Sequence, residues 1–262
     1  MPNNERRTTI QSVNRAAAIL KALAGGPGRL GVSELADRLQ LARPTVHGLL
    51  QTLMLHGFVE QDRASEKYQL GAGLLQLGYS YLDVNELRGR SIAHAERLAI
   101  RANAAVRVGV VHGRSAVVVH HVFRPDATLQ ILEVGSELPL HASAIGKSLL
   151  AFAPKETIDD LLADGMSRLT KRTLSAGALR VQLSAIRAEG FAVERDEAVL
   201  GESSVASPIF DRTAQAVGAI AAVGESERFF RHGLTRSLPI AVIEAARGIS
   251  RELGAVRWPF EG

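Results

Sequence analysis

Residues 31–71 read GVSELADRLQLARPTVHGLLQTLMLHGFVEQDRASEKYQLG, and their spacing leaves little choice of local structure. Leu35, Ala36 and Leu39 fall on one face of a helix, and Ser33 is a residue type suited to cap it. Leu41, Ala42 and Arg43 make a turn. Pro44 suits the first position of a second helix, where its missing N–H costs nothing. That helix runs to about His56, with Val46, Leu49, Leu50 and Leu53 inward, and Gly57 stops it. Residues 58–60 and 67–70 then alternate like strands around the polar loop 61–66. Helix, turn, helix and wing make a winged helix-turn-helix, whose second helix enters the DNA major groove.

An earlier helix over 13–24 has Val13, Ala16, Ala17, Leu20 and Leu23 on one face, and Gly25-Gly26-Pro27-Gly28 ends it. In the DNA-binding reading, Arg43, Thr45 and His47 meet base edges or phosphates. Arg38, Arg63 and Lys67 meet phosphates, and Ser33 and Pro44 complete the candidate set. His56 belongs to the helix end rather than to base reading. The alternative is a small helical bundle with a solvated charged face; the agreement of helix lengths, turn and wing favours DNA.

The chain has 262 residues, 46% of them hydrophobic and 22% charged, enough for two modest domains with packed cores. Its net charge is +4, and the first 80 residues hold nine basic against six acidic side chains. That mild excess is compatible with nucleic acid without demonstrating it. The absence of cysteine excludes disulfides, thiolate catalysis and Cys-rich zinc sites. No apolar run approaches the roughly 18 residues of a membrane span. MPNNERRTT lacks the apolar core of a signal peptide, so the expectation is a cytoplasmic protein without a membrane partner.

Residues 74–87 read as a linker helix, with Leu74, Leu75, Gly78, Leu82 and Leu87 as its packing points. Self-pairing near it would give a homodimer or homotetramer reading two half-sites; the alternative is an amphipathic helix packed on its own domain. Beyond it the pattern predicts a helix to 102 and strands at 105–111, 116–123 and 129–134. Helices follow at 143–153, 155–163 and 176–189, strands at 191–195, 202–210 and 217–223, and a last helix at 237–253. Hairpins with grouped helices indicate an α+β fold with an antiparallel sheet. The expected division is 1–71 for DNA binding, 72–88 for the linker and 89–262 for a sensor domain.

LARPTVHGLLQTL over 41–53, Gly57-Phe58-Val59 and the wing end Tyr68-Gln69-Leu70-Gly71 together resemble the IclR family of bacterial transcription regulators. GSELPLHASAIGKSLLA over 135–151, GFAVE over 190–194 and GESSVASPIFD over 201–211 extend the resemblance over nearly the whole chain. It departs at Gly48, where the family has arginine, at Ala42 and Pro44, and at Ser204, where the family has cysteine. The resemblance implies a ligand-responsive regulator of a catabolic operon, repressor rather than activator, with a double-stranded DNA operator and a small-molecule effector as partners. It implies a GAF-like sensor domain that binds small organic acids on the concave face of its sheet. By motif position the effector pocket comprises Leu138, Ala144, Ile145, Glu194, Glu202, Ser204, Ala221 and Val223.

Ala221 and Val223 replace serines of the members that bind very small keto acids, and Ala144-Ile145 replace smaller residues. The pocket is therefore expected to be more apolar, suited to an effector with an apolar or aromatic body and one polar end. If Glu194 and Glu202 both face it, an anion is repelled and an amide, hydrazide, phenol or amine fits better. Alternatively, Glu202 points to solvent. Gly146-Lys147-Ser148 mimics the end of a phosphate-binding loop, but position 141 is His141 where that loop needs glycine. His112, His120, His121 and His141 suggest a metal by type, but His120 and His121, adjacent on a strand, point to opposite faces and do not both easily ligate one ion, so no metal site is expected. No G-x-S-x-G elbow occurs, so no catalytic residue and no cofactor is expected.

Overall fold

The computed structural model describes residues 9–26, 28–126, 129–163, 165–231, 233–256 and 258–260. The chain divides into two compact units, Met1–Val84 and Asn85–Gly262.

The first unit begins with α1 (Gln11–Ala24). Its inner face is Ile19, Ala22 and Leu23, rather than one that starts at Val13, which is 62% exposed, or includes Ala17. The buried set is the ridge that meets the following helices, and Ile19 at its centre is fully buried. Next come α2 (Val32–Leu39) and α3 (Arg43–Leu55). The N-cap of α2 is Gly31, whose N–H donates to the Glu34 carboxylate at 2.6 Å; Ser33 lies exposed inside the first turn and does not cap. Gln40, left-handed at φ 53°, closes α2, and Leu41 N–H returns to the Ala36 carbonyl. Ala42 is the N-cap of α3, so Arg43 belongs to the helix rather than the turn and Pro44 is its second residue, another position whose N–H has no helical acceptor.

Strands β1 (Val59–Gln61) and β2 (Tyr68–Leu70) pair antiparallel as the wing. Leu30 adds a third rung, exchanging both backbone hydrogen bonds with Tyr68. Gly71 follows the wing because a Cβ there would lie 2.3 Å from the Gly57 carbonyl oxygen. The final helix of this unit, α4 (Gly73–Val84), does not continue to Leu87. Asn85 interrupts it and caps α5 (Glu86–Ala102) by accepting from Arg88 N–H, and Leu87 is a buried residue of α5.

The second unit is built on β3 (Ala105–His112), β4 (Ser115–Val122), β5 (Glu137–Pro139), β6 (Ala192–Arg195), β7 (Glu202–Phe210) and β8 (Ala216–Glu225). They form one antiparallel sheet in the order β5-β4-β3-β8-β7-β6. Helices α5 and α10 (Ser237–Glu252) pack on one face. On the other, α6 (Ala144–Leu150) packs against the sheet, with α8 (Ala176–Glu189) against α6. Helices α7 (Lys155–Ala163) and α9 (Ser226–Phe230) complete the set. With both faces covered, β7 is buried from Ser203 to Phe210, which explains its nearly continuous apolar and small-residue run.

Residues 129–134 do not form the expected strand. The edge of β4 is taken by β5, where Ser115 faces Pro139 and Val117 faces Glu137. The Gln130 side chain instead ties this segment to the backbone of Arg124 in both directions. Leu129 is left 99% exposed and Ile131 81%.

Candidate effector cavity and nucleic-acid interface

In the first unit, burial of Val46, Leu50 and Leu53 turns the opposite side of α3 to solvent. Each such buried side chain contributes about 1.5–3 kcal/mol, which fixes the helix's rotation about its axis. Arg43, Pro44, His47, Gly48, Gln51 and Thr52 are exposed and Thr45 is half-buried. Arg38 and Arg63 are exposed as well. Lys67 is engaged with Glu34 at 3.2 Å, so contact with a phosphate exchanges one anion for another. The Gly31 N–H and Lys67 hold Glu34 below its ordinary pKa. Arg29, absent from the candidate set, bridges Asp62 in the wing at 3.2 Å and the Gln69 side chain at 2.9 Å.

In the second unit, strand register assembles the cavity. Glu194 on β6 faces Ser204 on β7, Ser204 faces Val223 on β8, and Val223 faces Ala105 on β3. One rung on, Ala206 faces Ala221 and Ala221 faces Arg107. Glu202 stands two residues before Ser204 and so shares its face. These rows, with Leu138 and Pro139 from β5 and Ser143 and Ile145 at α6, enclose a cavity of about 150 Å³. Leu169, Ala198 and Val199 complete its walls. Of the candidates drawn from sequence, Leu138, Ile145, Glu194, Glu202, Ser204, Ala221 and Val223 line it. The side chain of Ala144 does not; it is fully buried in the core beneath.

Arg107 is the lining residue that no motif points to. Arg107 is 8% exposed, and its guanidinium takes Glu202 in bidentate fashion at 2.9 and 3.1 Å and Glu133 on its other edge. Burial works against its charge, but the two carboxylates outweigh burial and raise its pKa. Glu202 is therefore neither free in solvent nor free in the pocket. The Arg107–Glu202 pair also borders a second cavity of about 400 Å³, on the side of His121 and Ile131.

Glu194 is 2% exposed. Burial pushes its carboxyl up to about 7, against the opposing pull of its donors. Those are the N–H groups of Glu197 at 2.8 Å and Ala198 at 3.4 Å, and the Ser204 hydroxyl at 2.9 Å. Behind it Lys147, fully buried, donates to Glu197 at 2.6 Å and to the Val193 carbonyl at 2.7 Å. This accounts for the Gly-Lys-Ser triplet. A Cβ on Gly146 would lie 2.5 Å from Leu140 Cα, so the glycine serves close packing, and the lysine is an internal ion-pair partner. Among the described residues no group of three His, Asp or Glu side chains is arranged to hold a metal ion. His141 bonds the Ser167 carbonyl, and His121 accepts from Glu133 N–H. No described helix is long and apolar enough to cross a membrane.

A winged helix-turn-helix on one unit and a small-molecule cavity on the other define a DNA-binding transcription regulator with a sensor domain, not an enzyme. Residues 12–63 match the IclR helix-turn-helix domain, and residues 79–251 match the bacterial transcriptional regulator IclR C-terminal domain. The chain belongs to the IclR family. It is 46% identical over 250 residues to the glycerol operon regulatory protein of Streptomyces coelicolor, covering 95% of this chain and 98% of that one. It is 30% identical to the HTH-type transcriptional repressor AllR of Escherichia coli, covering 95% and 92%. An IclR homolog from Microbacterium hydrocarbonoxydans, crystallised with 4-hydroxybenzoate, shares the fold at a TM-score of 0.78 and 22% identity, covering 92% of this chain and 98% of that one.

Proposed function

We propose that this protein represses an operon for catabolism of glycerol or a similarly small polyol and is released by that polyol or its monophosphate. The polar wall of the 150 Å³ cavity carries this reading: Glu194 and Ser204 on one side, Arg107 and Glu202 on the other. That volume equals about five waters, so it admits a ligand of a few heavy atoms. A cavity of this size takes a bare aromatic ring when its walls are apolar; here one wall is apolar and the other brings together acceptors and donors suited to hydroxyl groups. Arg107 is already saturated by Glu202 and Glu133, so a neutral polyol enters without exchange, whereas a phosphate takes the place of Glu202 on the guanidinium. The 46% identity to a glycerol operon regulator supports the same substrate class.

A second reading, an effector with an aromatic or other apolar body, is favoured by the opposite wall of Leu138, Ile145, Ala221 and Val223. In either case the cytoplasmic protein acts as a homodimer or homotetramer on a double-stranded operator. Exposed Leu75, Leu77 and Tyr79 on α4 support self-pairing there. The effector shifts the population of two arrangements that differ in the spacing of the α3 helices, which must fit successive grooves.

The test is fluorescence anisotropy of the full-length protein on a DNA fragment that it selects from a random-sequence pool. Glycerol, glycerol 3-phosphate and 4-hydroxybenzoate are titrated separately. Release by either of the first two supports the polyol reading and identifies its form. Release by 4-hydroxybenzoate alone replaces it with the second reading.

A further inference from the structure

The opposite face of the sensor sheet carries a cavity of about 440 Å³, within the size range of small-molecule sites and sharing no residue with the effector cavity. It lies between the C-terminal end of α5, helix α9 and the first turns of α10. Three arginines line it: Arg101, Arg228 and Arg231. Neutral donors come from Asn103, Thr235 and Ser237, and the floor is Phe229, Leu238 and Ala241. Among the described residues that line it there is no carboxylate.

We propose that this cavity is a second ligand site, for a phosphate monoester or similarly compact anion with a short apolar body. Guanidinium groups pair with phosphate oxygens in a planar, two-pronged geometry that suits such a ligand. The fold balances only part of the cluster's charge. Glu244 answers Arg101 alone. Arg228 lies against the Phe229 ring, 5.4 Å from its centroid, and reaches the Ala102 carbonyl at 3.4 Å. Burial and the nearby Arg124 lower its pKa, more than Glu225 and Asp126 restore. Arg231 is exposed and has no side-chain partner among the described residues. A bound anion joins the end of α5 to the start of α10. Because α5 starts at Glu86, beside the boundary with the DNA-binding unit, occupancy biases the element through which the sensor is connected to that unit.

The experiment is isothermal titration of full-length protein with phenyl phosphate, with inorganic phosphate as competitor. Wild type is expected to bind saturably and to lose the ligand to inorganic phosphate. Arg231→Ala weakens binding by roughly tenfold and Arg231→Glu by more, while Lys155→Ala, which removes an exposed cation on α7 outside both cavities, leaves it unchanged. Equal binding in wild type and Arg231→Glu overturns the proposal. So does an equal loss of binding in Lys155→Ala, or the absence of saturable binding at millimolar phenyl phosphate. Operator release by polyol should survive Arg231→Ala, so the two sites fail or stand separately.

Discussion

Replacing Glu194 by glutamine removes one proton equilibrium from the sensor core while keeping its shape. In the folded protein this carboxyl titrates near 7, against an ordinary value of 4.5. Between those values the folded state holds a proton that the unfolded state has released, so stability falls as pH rises from about 4.5 to 7 and is level above that. The displacement of about 2.5 units corresponds to a loss of about 3 kcal/mol. Glutamine is permanently neutral and still accepts from the Glu197 N–H, so Glu194→Gln should match wild type near pH 4 and exceed it by about 3 kcal/mol at pH 8. The assay is urea unfolding across that range, followed by Trp258 fluorescence. This single tryptophan is buried against Phe210 and Phe260 in the sensor unit and reports on it alone. Lys147 and Glu197 also carry shifted values, the lysine lowered by burial and the glutamate raised by it. They are present in both proteins, and Lys147 and Glu194 act on each other's charge, so the difference between the curves reports Glu194 together with that coupling. Parallel pH profiles for the two would refute the reasoning.

Lys147→Met should destabilise the sensor unit by about 3–5 kcal/mol, because it strands a buried Glu197, and adding Glu197→Leu should recover most of that loss; urea midpoints of the single and double variants test it. A Cβ added at Gly48 would meet nothing within 4 Å, and the residue lies in an exposed helix interior, so Gly48→Ala should stabilise the DNA-binding unit by about 0.5–1 kcal/mol in thermal unfolding. Gly48→Arg should raise DNA affinity and steepen its salt dependence by about one phosphate contact, read from anisotropy at several salt concentrations. Arg43→Ala should abolish the preference for operator over scrambled DNA; unchanged discrimination would show that the start of α3 does not read bases.

The two units differ in how far sequence can describe them. In the first, each element is fixed by neighbours within a few residues: the Gly57 stop, the Pro44 start and the 3–4 spacing of Val46, Leu50 and Leu53. The departures are correspondingly small. The cap of α2 is a glycine with Glu34 reaching back, two residues before the serine whose type suits the position, and the centre of α1 is Ile19 rather than the solvent-facing Val13. The Leu30 rung of the wing, some forty residues from Tyr68, leaves no local sign.

The sensor cavity is a product of register, and that is where sequence alone runs out. Motif blocks locate Glu194, Ser204, Ala221 and Val223 because each lies in or near a distinctive run. Arg107 lies in AVRVGVVH, where one arginine in an apolar strand looks like an ordinary solvent-facing residue. Only the pairing of β3 with β8 puts it opposite Ala221, and only Glu202 and Glu133, drawn from two other segments, make its burial tolerable. The same long-range competition explains the missing strand at 129–134. Its apolar content is genuine, but the edge it would need is occupied by β5, and Glu133 is committed to Arg107 and His121. The apolar substitutions at 221 and 223 therefore describe one wall of the cavity. Its selectivity depends equally on a charged wall whose members are up to 95 residues apart in sequence, which is why the ligand class is better argued from the assembled site than from any motif within it.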